Sequence, residues 1–505
     1  MPYSQDDKKW TVYSALIILL SLFLLIQRWP LLPNFLDIYY HLSVAQGFDR
    51  AGGLVTHAFW EYAPAGRPHL YPPLFHLIIL AFIRSGFQGL FIARLLSVLI
   101  FPSFLYVLWL FSASIFNRRT AFFAVLISVS LYSLFLSVLT FMPVTIAVMM
   151  GLLSFWAAHK NKFISASVFL ALSFYTHAQF PWVIAISMLA YAALAGQKRA
   201  IYPRVVAMAV ALALPMILYL VANRSHYQIR PAPEKFILEI NLALILALVA
   251  LREVFRKKEV YYYPLILSLS ALPFALIYPY RYVSGQGLIG LILLSAIASN
   301  RILDASKDGY KIFIISLIGL LIILSPAILI APGGHVIFEA SNSTYSNLIS
   351  PKKDVARPNE YSVYSKFIAE LVDITRKNTG RDDIVFVNGE FADTIIASLS
   401  KRSSSRGMLL EITPLEEKSD IVDAKLIIWL KTVDGKADPI MPGVVNRYSL
   451  QRVAETEMAY VYRNANSPGR AMVVKAVISG AFMLVIFAGI LFLLAWDLKR
   501  PAKLS

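Results

Sequence analysis

Residues 10–41 read WTVYSALIILLSLFLLIQRWPLLPNFLDIYYH, and they decide the class of this protein. The apolar run from Trp10 to Ile26 approaches the length of about 20 helical residues that crosses a bilayer. Two lysines, Lys8 and Lys9, precede the run, and no small-residue cleavage pattern follows it. We therefore interpret the run as a retained membrane anchor rather than a cleaved signal peptide.

The composition of the whole chain extends this interpretation. Of the 505 residues, 58% are hydrophobic and only 15% are charged, and the mean hydropathy is +0.63. Soluble domains carry about 25% charged residues, so a soluble enzyme is excluded. The chain contains no cysteine, which excludes disulfide frameworks, thiolate catalysis and cysteine-ligated metal sites.

Further apolar runs predict an all-α polytopic membrane bundle of about twelve transmembrane helices, with a small extracytoplasmic α/β domain. The predicted helices lie near residues 11–28, 90–116, 120–138, 141–158, 162–177, 180–196, 203–222, 236–251, 260–278, 284–300, 312–331 and 471–496. The segment 71–84 is too short to span, and we expect a helix lying on the outer surface there. A tilted short helix, combined with a split of 88–116, would keep the same topology.

The charges predict the topology. The net charge is +17, and all of it belongs to the membrane part, 1–331 and 471–505, because the polar stretch 332–470 holds 18 acidic and 18 basic residues. The basic residues sit in alternate short loops, which the positive-inside bias places in the cytoplasm. We therefore expect a plasma-membrane protein with both termini cytoplasmic, and with the first loop, residues 29–89, outside. Basic residues scattered at segment ends do not form a nucleic-acid surface.

These boundaries define the predicted domains. Residues 1–331 form the transmembrane catalytic domain, residues 332–470 form the extracytoplasmic domain, and residues 471–505 form a final transmembrane helix with a cytoplasmic tail. In the polar stretch, hydrophobic patterning predicts a small α/β domain of about 100 residues. Its predicted elements are a helix at 359–378, a strand at 384–387, a helix at 390–400, a strand at 426–430 and a final hairpin that includes Val453 to Tyr462. An acceptor-facing role and a purely structural role are both open for it.

Few acids of the membrane part are expected outside, which narrows the search for catalytic residues. They are Asp37, Asp49, Glu61, Glu234 and Glu239. If a helix runs from Asp37 to about Phe48, then Asp37, Tyr40 and His41 share one face. A carboxylate there could take a proton from an acceptor hydroxyl, or hold an acceptor amide or a metal ion. The alternative is a carboxylate that caps the helix.

Two histidines accompany this cluster. His69 lies in a polar and aromatic run that leads from Arg67 through Tyr71-Pro72-Pro73-Leu74 to His76. His177, at another outer mouth, is a candidate pocket residue, although a packed interface residue is the alternative.

A third group of residues favours an anionic ligand. Arg281 lies between Tyr280 and Tyr282 with no acid nearby in sequence, and an arginine in this position suits bidentate phosphate binding. The alternative is snorkelling of the side chain to lipid headgroups. Arg230 adds positive charge in a neighbouring loop. Together these features favour an anionic lipid headgroup bound at the membrane surface.

The order of these motifs resembles the integral-membrane glycosyltransferases of the C superfamily (GT-C), which take sugar from a polyprenyl-phosphate lipid. Asp37 with Tyr39-Tyr40-His41 is like the Asp-x-Tyr-Tyr-His of archaeal oligosaccharyltransferase-type proteins. Tyr71-Pro72-Pro73-Leu74 and the later Ala93-Arg94-Leu95-Leu96 are similar to motifs of protein mannosyltransferase and lipid A aminoarabinose transferase relatives. Tyr280-Arg281-Tyr282 and a late outer domain complete the likeness.

The resemblance implies roles for particular residues. Asp37 corresponds to the catalytic or acceptor-orienting aspartate, and Arg281 to the arginine that contacts the lipid phosphate. We hypothesise that Asp37 is the general base and that His41 and His177 line the sugar pocket. The outer domain has no Trp-Trp-Asp-Tyr-Gly motif, so a single-sugar transferase fits better than transfer of a whole oligosaccharide to asparagine.

The resemblance also implies the partners and leaves other points open. The donor would be a polyprenyl-phosphate sugar, and the acceptor a lipid, a glycan or a protein. The second outer loop, Leu139 to Met142, has no acid, which leaves open a divalent cation, Mg or Mn, with Asp37 as its only candidate ligand. Rival functions are an O-antigen ligase or polymerase, a lipid-linked-sugar flippase and an assembly protein.

Overall fold

The structure is a computed structural model. It describes residues 5–33, 35–195, 200–227, 238–257, 261–276, 278–305, 308–331, 334–349, 365–407, 421–433, 436–440, 442–467 and 469–499. In the described ranges, helices dominate the membrane part, and the larger sheet lies late in the chain.

The described helices are α1 Gln5–Gln27, α2 Asp37–Ala51, α3 Leu74–Arg84, α4 Gly89–Ile115, α5 Arg118–Ser130, α6 Tyr132–Thr140, α7 Met142–His159, α8 Phe163–Phe174, α9 Phe180–Ala195, α10 Ile201–Ala222, α11 Leu246–Lys257, α12 Tyr262–Ala275, α13 Ile289–Ala305, α14 Asp308–Leu324, α15 Thr344–Ile349, α16 Lys366–Asn378, α17 Glu390–Ser400, α18 Pro442–Arg447 and α19 Gly480–Lys499. A short π-helical segment, Tyr280–Ser284, lies between α12 and α13.

The described strands are β1 Gly53–Leu54, β2 His57–Ala58, β3 Arg67–Pro68, β4 Leu238–Asn241, β5 Ala327–Ile330, β6 Val336–Glu339, β7 Ile384–Val387, β8 Ser403–Ser404, β9 Leu426–Leu430, β10 Thr432–Val433, β11 Lys436–Ala437, β12 Leu450–Glu455, β13 Ala459–Asn464 and β14 Ile478–Ser479. The larger sheet has the order β12-β13-β9-β7-β8, with β7 parallel to both of its neighbours. A second, antiparallel sheet has the order β4-β5-β6.

The protein is a multi-pass membrane protein. Six of the described helices are long and apolar enough to cross a membrane, or seven if the bent pair α5–α6 counts as one span. The predicted number of about twelve spans is therefore not confirmed, because several predicted spans are helices shorter than 18 residues. Of the six long windows, those of α7 and of Gln286–Asp304 are 78% buried, whereas that of α19 is only 6% buried. Helix α7 and the segment Gln286–Asp304 therefore lie centrally in the bundle, and α19 packs at its edge.

Two predicted helices are interrupted. The span predicted at 120–138 bends by 81° at Leu131. Just before the bend, the hydroxyls of Ser128 and Ser130 donate to the carbonyls of Ala124 and Ile127, a type of bond that competes with regular helical bonding. The prediction for 312–331 is wrong beyond Leu324, where the Ser-Pro pair at 325–326 ends α14 because proline cannot continue a helix.

Two further predictions start too early. The segment 238–241, predicted as part of a helix, is strand β4, and its alternation of Leu, Glu, Ile and Asn is the period-two pattern of a strand. The last helix was predicted from residue 471 but begins at Gly480. The residues just before it form β14, which pairs with β1 of the first loop.

Other sequence predictions are confirmed. The helix expected from Asp37 is α2, and the short helix expected at 71–84 is α3, which starts directly after Pro72-Pro73. In the polar domain, which we define as residues 365–467, the strands at 384–387 and 426–430 and the helix at 390–400 have the predicted bounds. The late hairpin is β12–β13.

The first loop and the polar domain are joined by backbone hydrogen bonds. The N–H of Ser404 donates to the Trp60 carbonyl at 2.9 Å, and the Tyr62 and Ala63 N–H groups donate to the carbonyls of Arg406 and Ser404 at 3.0 Å. Residues 60–63 therefore attach to the edge of the larger sheet at β8 through backbone hydrogen bonds. These hydrogen bonds hold α2 close to α17, so the first loop and the polar domain form one structural unit.

Candidate functional site

Asp37 is the first residue of α2. The preceding cap position is Leu36, and the cap makes no side-chain hydrogen bond. An acid in the first turn is favoured by the positive end of the helix dipole. Asp37 is half-buried, and Tyr40 and His41 follow it on the same helical face as buried residues. The predicted arrangement of these three residues on α2 is therefore present.

Behind Tyr40 lies a cluster of three buried histidines. The Nδ1 atom of His41 is 2.9 Å from Nε2 of His76, and the rings of His69 and His76 are 5.5 Å apart. Burial, together with neighbouring positive charge, lowers the pKa of His41 and of His69 to about 3. The cluster is therefore neutral at physiological pH and forms a rigid, polar and aromatic wall.

An ion pair closes the other side of Tyr40. Nε and Nη2 of Arg67 donate to the two carboxylate oxygens of Glu61 at 3.0 and 2.7 Å, and both side chains are buried. Burial and the Glu61 charge raise the pKa of Tyr40, so its phenol stays protonated. Among the described residues, its buried hydroxyl has no hydrogen-bond partner. Tyr40 therefore keeps a hydrogen-bonding group for a ligand.

A small cleft of about 20 Å³, enough for a water-sized group, lies between the first loop and the polar domain. It is lined by Tyr40, Ser43, Trp60, Glu61, Asp393, Thr394, Ala397, Ser404, Arg406 and Gly407. Like the Tyr40 hydroxyl, the buried Nε1 of Trp60 has no hydrogen-bond partner among the described residues. The cleft thus combines aromatic rings with hydrogen-bonding groups, and its size admits one small polar group of a larger ligand.

Asp393 of α17 forms the polar-domain wall of this cleft. Its carboxylate accepts hydrogen bonds from the Val387 N–H at 3.1 Å and from the Ser404 hydroxyl. The side chain is buried, and burial raises its pKa to about 7 in spite of these bonds.

We expect Asp393→Asn to flatten the pH dependence of stability. Folding raises the pKa of Asp393, so protonation of this side chain stabilises the folded state. This stabilisation is complete below the pKa of the unfolded state, near 4, and is lost as the pH rises through 7. The free energy of unfolding should fall by on the order of 2–4 kcal/mol over this range. The apparent Tm in detergent at pH 5 and pH 8 measures this. The wild type should melt lower at pH 8, and Asp393→Asn should show a smaller difference, with Asp373→Asn on exposed α16 as the control. An unchanged difference would contradict the assignment.

The second part of the site is built around Arg281. Its guanidinium lies over the rings of Phe141 and Tyr278, with ring centres 4.8 and 5.1 Å away. Its Nη1 is 3.4 Å from Nε2 of His177. The buried Nε has no hydrogen-bond partner among the described residues. The aromatic rings therefore hold the guanidinium in place and leave donor capacity for a ligand.

His177 presents a donor to the same space. Its Nδ1 accepts hydrogen bonds from the backbone N–H groups of Gln179 and Phe180, both at 3.1 Å. A neutral ring with an accepting Nδ1 carries its proton on Nε2, and burial and the Arg281 charge lower the pKa of His177, which keeps the ring neutral. Arg281 and His177 thus face each other as two donors, an arrangement that an anion between them would satisfy.

We expect two substitutions of His177 to separate its two roles. His177→Ala removes the acceptor for the N–H groups at the start of α9 and should cost about 1 kcal/mol, measured as a fall in apparent Tm. His177→Asn keeps a side-chain acceptor and should recover the stability, but it lacks the Nε2–H group. Binding of the predicted polyprenyl-phosphate sugar should therefore stay weakened in both variants. If His177→Asn bound the polyprenyl-phosphate sugar as tightly as the wild type does, a ligand-facing role of His177 would be contradicted.

Glu239 ties together the elements around Arg281. Its backbone N–H donates to the Ser284 hydroxyl at 2.8 Å, and Ser284 ends the segment that carries Arg281. Its buried carboxyl group accepts from the Ser133 N–H at 3.1 Å and from the Asn342 amide at 3.0 Å. Ser133 lies in the first turn of α6, which leads to Phe141. Glu239 therefore positions both elements that hold the guanidinium.

The two parts of the site meet at the start of α3. The N–H of Leu74 donates to the Tyr175 carbonyl at 2.8 Å, two residues before His177. The Tyr219 hydroxyl of α10 donates to the carbonyls of Thr56 and His69 at 2.9 and 3.1 Å. The first loop, with Asp37 and the histidines, is thus attached to the helix ends that carry His177.

The remaining predicted site residues are placed as follows. Tyr280 contacts Phe141, with ring centres 6.0 Å apart. The Tyr282 ring stacks on Phe180 at 6.0 Å and lies 5.5 Å from that of Phe274. Arg230 lies outside the described residues.

Several residues of the site are not predicted as site residues by the sequence. Phe141 gives no sequence signal, because it is one aromatic residue in an apolar run. Asp393 lies in a predicted helix, and only its contact with Ser404 brings it to the cleft. Glu239 is recognisable as a rare acid, but the sequence predicts a helix at 236–251 and so does not indicate its contacts with Ser133, Ser284 and Asn342.

Metal binding finds little support in this donor set. Within the described ranges, no group of three or more His, Cys, Asp or Glu side chains could hold a metal ion. The three clustered histidines are arranged as hydrogen-bonded and ring-packed neighbours instead. A divalent cation, Mg or Mn, with Asp37 as its candidate ligand stays a prediction.

Comparison with known proteins identifies the fold. No protein-family model and no curated protein matches the sequence, but solved structures match. ArnT from Cupriavidus metallidurans bound to undecaprenyl phosphate aligns with a TM-score of 0.54 at 11% identity, over 90% of this chain and 99% of that chain. Archaeal oligosaccharyltransferase AglB from Archaeoglobus fulgidus, in complex with an inhibitory peptide and a dolichol-phosphate, aligns with a TM-score of 0.55 at 11% identity, over 92% and 75%.

A third structure is the Archaeoglobus fulgidus oligosaccharyltransferase tethered with an acceptor peptide, with a TM-score of 0.52 at 10% identity over 78% of this chain. The chain spans about 64% of the length of that relative. ArnT and AglB are both GT-C glycosyltransferases. The chain therefore has the GT-C fold, as the resemblance of its motifs predicted. Within that fold it is similar to ArnT over almost the whole length of ArnT.

Proposed function

We propose that this protein transfers a sugar from a polyprenyl-phosphate-linked donor to an acceptor on the extracytoplasmic side of the membrane. The observation that carries the proposal is the donor pair formed by Arg281 and His177, 3.4 Å apart, beside the buried Nε of Arg281. This pair suits the phosphate of a lipid donor. The GT-C fold supports the same class of reaction, because the similar structures of ArnT and AglB contain undecaprenyl phosphate and dolichol-phosphate.

In the proposed reaction, the oxygen of an acceptor hydroxyl attacks the anomeric carbon as the bond from that carbon to the phosphate oxygen breaks. Asp37 takes the hydroxyl proton, and the polyprenyl phosphate leaves with its negative charge held by Arg281. The donor already carries an activated anomeric carbon, so positioning and charge stabilisation supply most of the rate enhancement. In-line displacement by one nucleophile inverts the anomeric centre.

In this proposal the acceptor approaches along the seam between the first loop and the polar domain, and the small cleft there receives one of its polar groups. The cleft starts at Tyr40, one helical turn from Asp37, and reaches Asp393 in the polar domain. The free hydrogen-bonding capacity of Tyr40 and Trp60 suits a ligand with hydroxyl groups. In this proposal the polar domain orients the acceptor, and the membrane part holds the donor.

The test is a transfer assay on the purified full-length protein in detergent. A panel of radiolabelled polyprenyl-phosphate sugars, with and without EDTA, is followed for loss of sugar from the lipid, and the product is examined by NMR for anomeric configuration. We expect turnover of one donor with inversion. Retention of configuration would overturn the single-displacement mechanism. Donor binding without turnover under any condition would favour a flippase.

A further inference from the structure

The three-stranded sheet β4-β5-β6 has one fully apolar face. Strand pairing places Leu238, Ile330 and Val336 in one row and Ile240, Ile328 and Phe338 in the next, all on this face. Phe338 is 63% exposed, Val336 67% and Ile240 46%. An antiparallel sheet that faces water on one side normally carries polar residues there, so this face is built to contact something apolar.

Along β4 and β5, the opposite face of the sheet is turned into the protein. It carries Glu239, Asn241, Ala327 and Leu329, all buried. On β6 this face carries Ile337, which is 48% exposed, and the half-buried Glu339. Glu239 makes the contacts to Ser284 and Ser133 described above. The sheet therefore separates the framework of the Arg281 site from whatever covers the apolar face.

Continuity with the lipid-facing helices indicates the nature of that cover. Only the Ser-Pro pair at 325–326 separates β5 from α14, on which Phe313 and Ile323 are 66% and 65% exposed. Strand β4 leads directly toward α11, where Leu248 is 66% exposed. The apolar face of the sheet thus extends an exposed apolar helical surface of the kind that contacts bilayer hydrocarbon in a membrane protein.

We propose that the β4-β5-β6 sheet lies in the membrane interface, with its apolar face against the acyl chains of the leaflet on the polar domain's side. The edges of the sheet limit how deep it can lie. Strands β4 and β6 are edge strands, and unpaired strand edges are not tolerated inside the hydrocarbon core. The sheet therefore lies at headgroup depth, with the apolar side chains reaching about 5–10 Å toward the acyl chains.

The chain has no cysteine, so a single spin label can be introduced without background. Val336→Cys and Phe338→Cys are each labelled with a nitroxide in the full-length protein, in nanodiscs of phosphatidylcholine and phosphatidylglycerol. Collision rates with molecular oxygen, which partitions into hydrocarbon, and with a water-soluble nickel complex give the depth. Val453→Cys, on exposed β12 of the polar domain, is the aqueous control, and Leu491→Cys, near the middle of exposed α19, is the deep control.

At both positions we expect an oxygen-to-nickel collision ratio several-fold above that of the label at position 453 and below that of the label at position 491. A ratio equal to that at position 453 would overturn the proposal, because the face would then be in water. Exclusion of both reagents would also overturn it. Spectral broadening would then identify a second copy of the chain as the cover, and its absence would identify another segment of the same chain. Two labelled positions guard against one variant that fails to fold. The outcome is independent of the proposed transferase activity.

Discussion

Replacing Asp37 with asparagine is expected to lower sugar transfer by about 10²–10⁴-fold, while binding of the lipid donor survives. The reason is that asparagine keeps the size and hydrogen-bonding reach of the side chain but cannot take the proton of the attacking hydroxyl, and general-base catalysis contributes about that factor. The measurement is kcat for release of labelled sugar from the lipid, together with donor affinity. The loss should fall on kcat.

Asp49→Asn provides a matched control on the same helix. Asp49 is near the other end of α2 and accepts from Arg84 at 3.3 Å, so its loss removes an acid and a surface ion pair. Such pairs contribute about 0–1 kcal/mol, and transfer should be unchanged. Full activity of Asp37→Asn would refute the base assignment. If Arg281 were still essential, a ligase-type enzyme that relies on arginine would then be the better description.

Replacing Arg281 with alanine is expected to have the second largest effect, a loss of about 10²–10³-fold in kcat/KM. Alanine removes the cation that the rings of Phe141 and Tyr278 hold in place, and with it the charge that we propose stabilises the departing phosphate. Arg281→Lys should recover only part of the activity, because an ammonium group cannot bind a phosphate through two parallel bonds. Steady-state kinetics with a fixed acceptor would measure both variants.

Arg224→Ala is the control for this experiment. Arg224 follows α10 and is exposed, so its substitution changes net charge equally without touching the Arg281 site. Equal losses in Arg224→Ala and Arg281→Ala would indicate a general electrostatic effect on binding to the membrane or the lipid. Wild-type activity in Arg281→Lys would show that a point charge is sufficient and that the geometry of the fork is irrelevant.

The sequence predicts well those elements that periodicity and composition determine. The helix at Asp37, the strand at 384–387 and the helix at 390–400 all follow from local pattern, and all are confirmed. Apolar runs also locate the helices of the membrane part. They do not give the number of spans, because a run of apolar residues can bend, as at Leu131, or continue as a strand, as after Leu324.

The site is less accessible from sequence for a physical reason. The sequence identifies Asp37, His177 and Arg281 as candidates because polar residues are rare at the ends of apolar runs. It cannot show that Arg281 and His177 meet, since 104 residues separate them. It also cannot show that Asp393 approaches the first loop, because that depends on pairing between Trp60 and Ser404 across the two parts of the chain.

The backbone pairing of residues 60–63 with Ser404 and Arg406 has a consequence for engineering chimeric enzymes. In a chimera, the polar domain of a relative would place its own edge strand against the first loop of this protein, to which it is not matched. The mismatch would displace α2, and hence Asp37, even if every catalytic side chain were preserved. The loop segment 53–68 and the polar domain therefore form one structural module, and a graft should move them together.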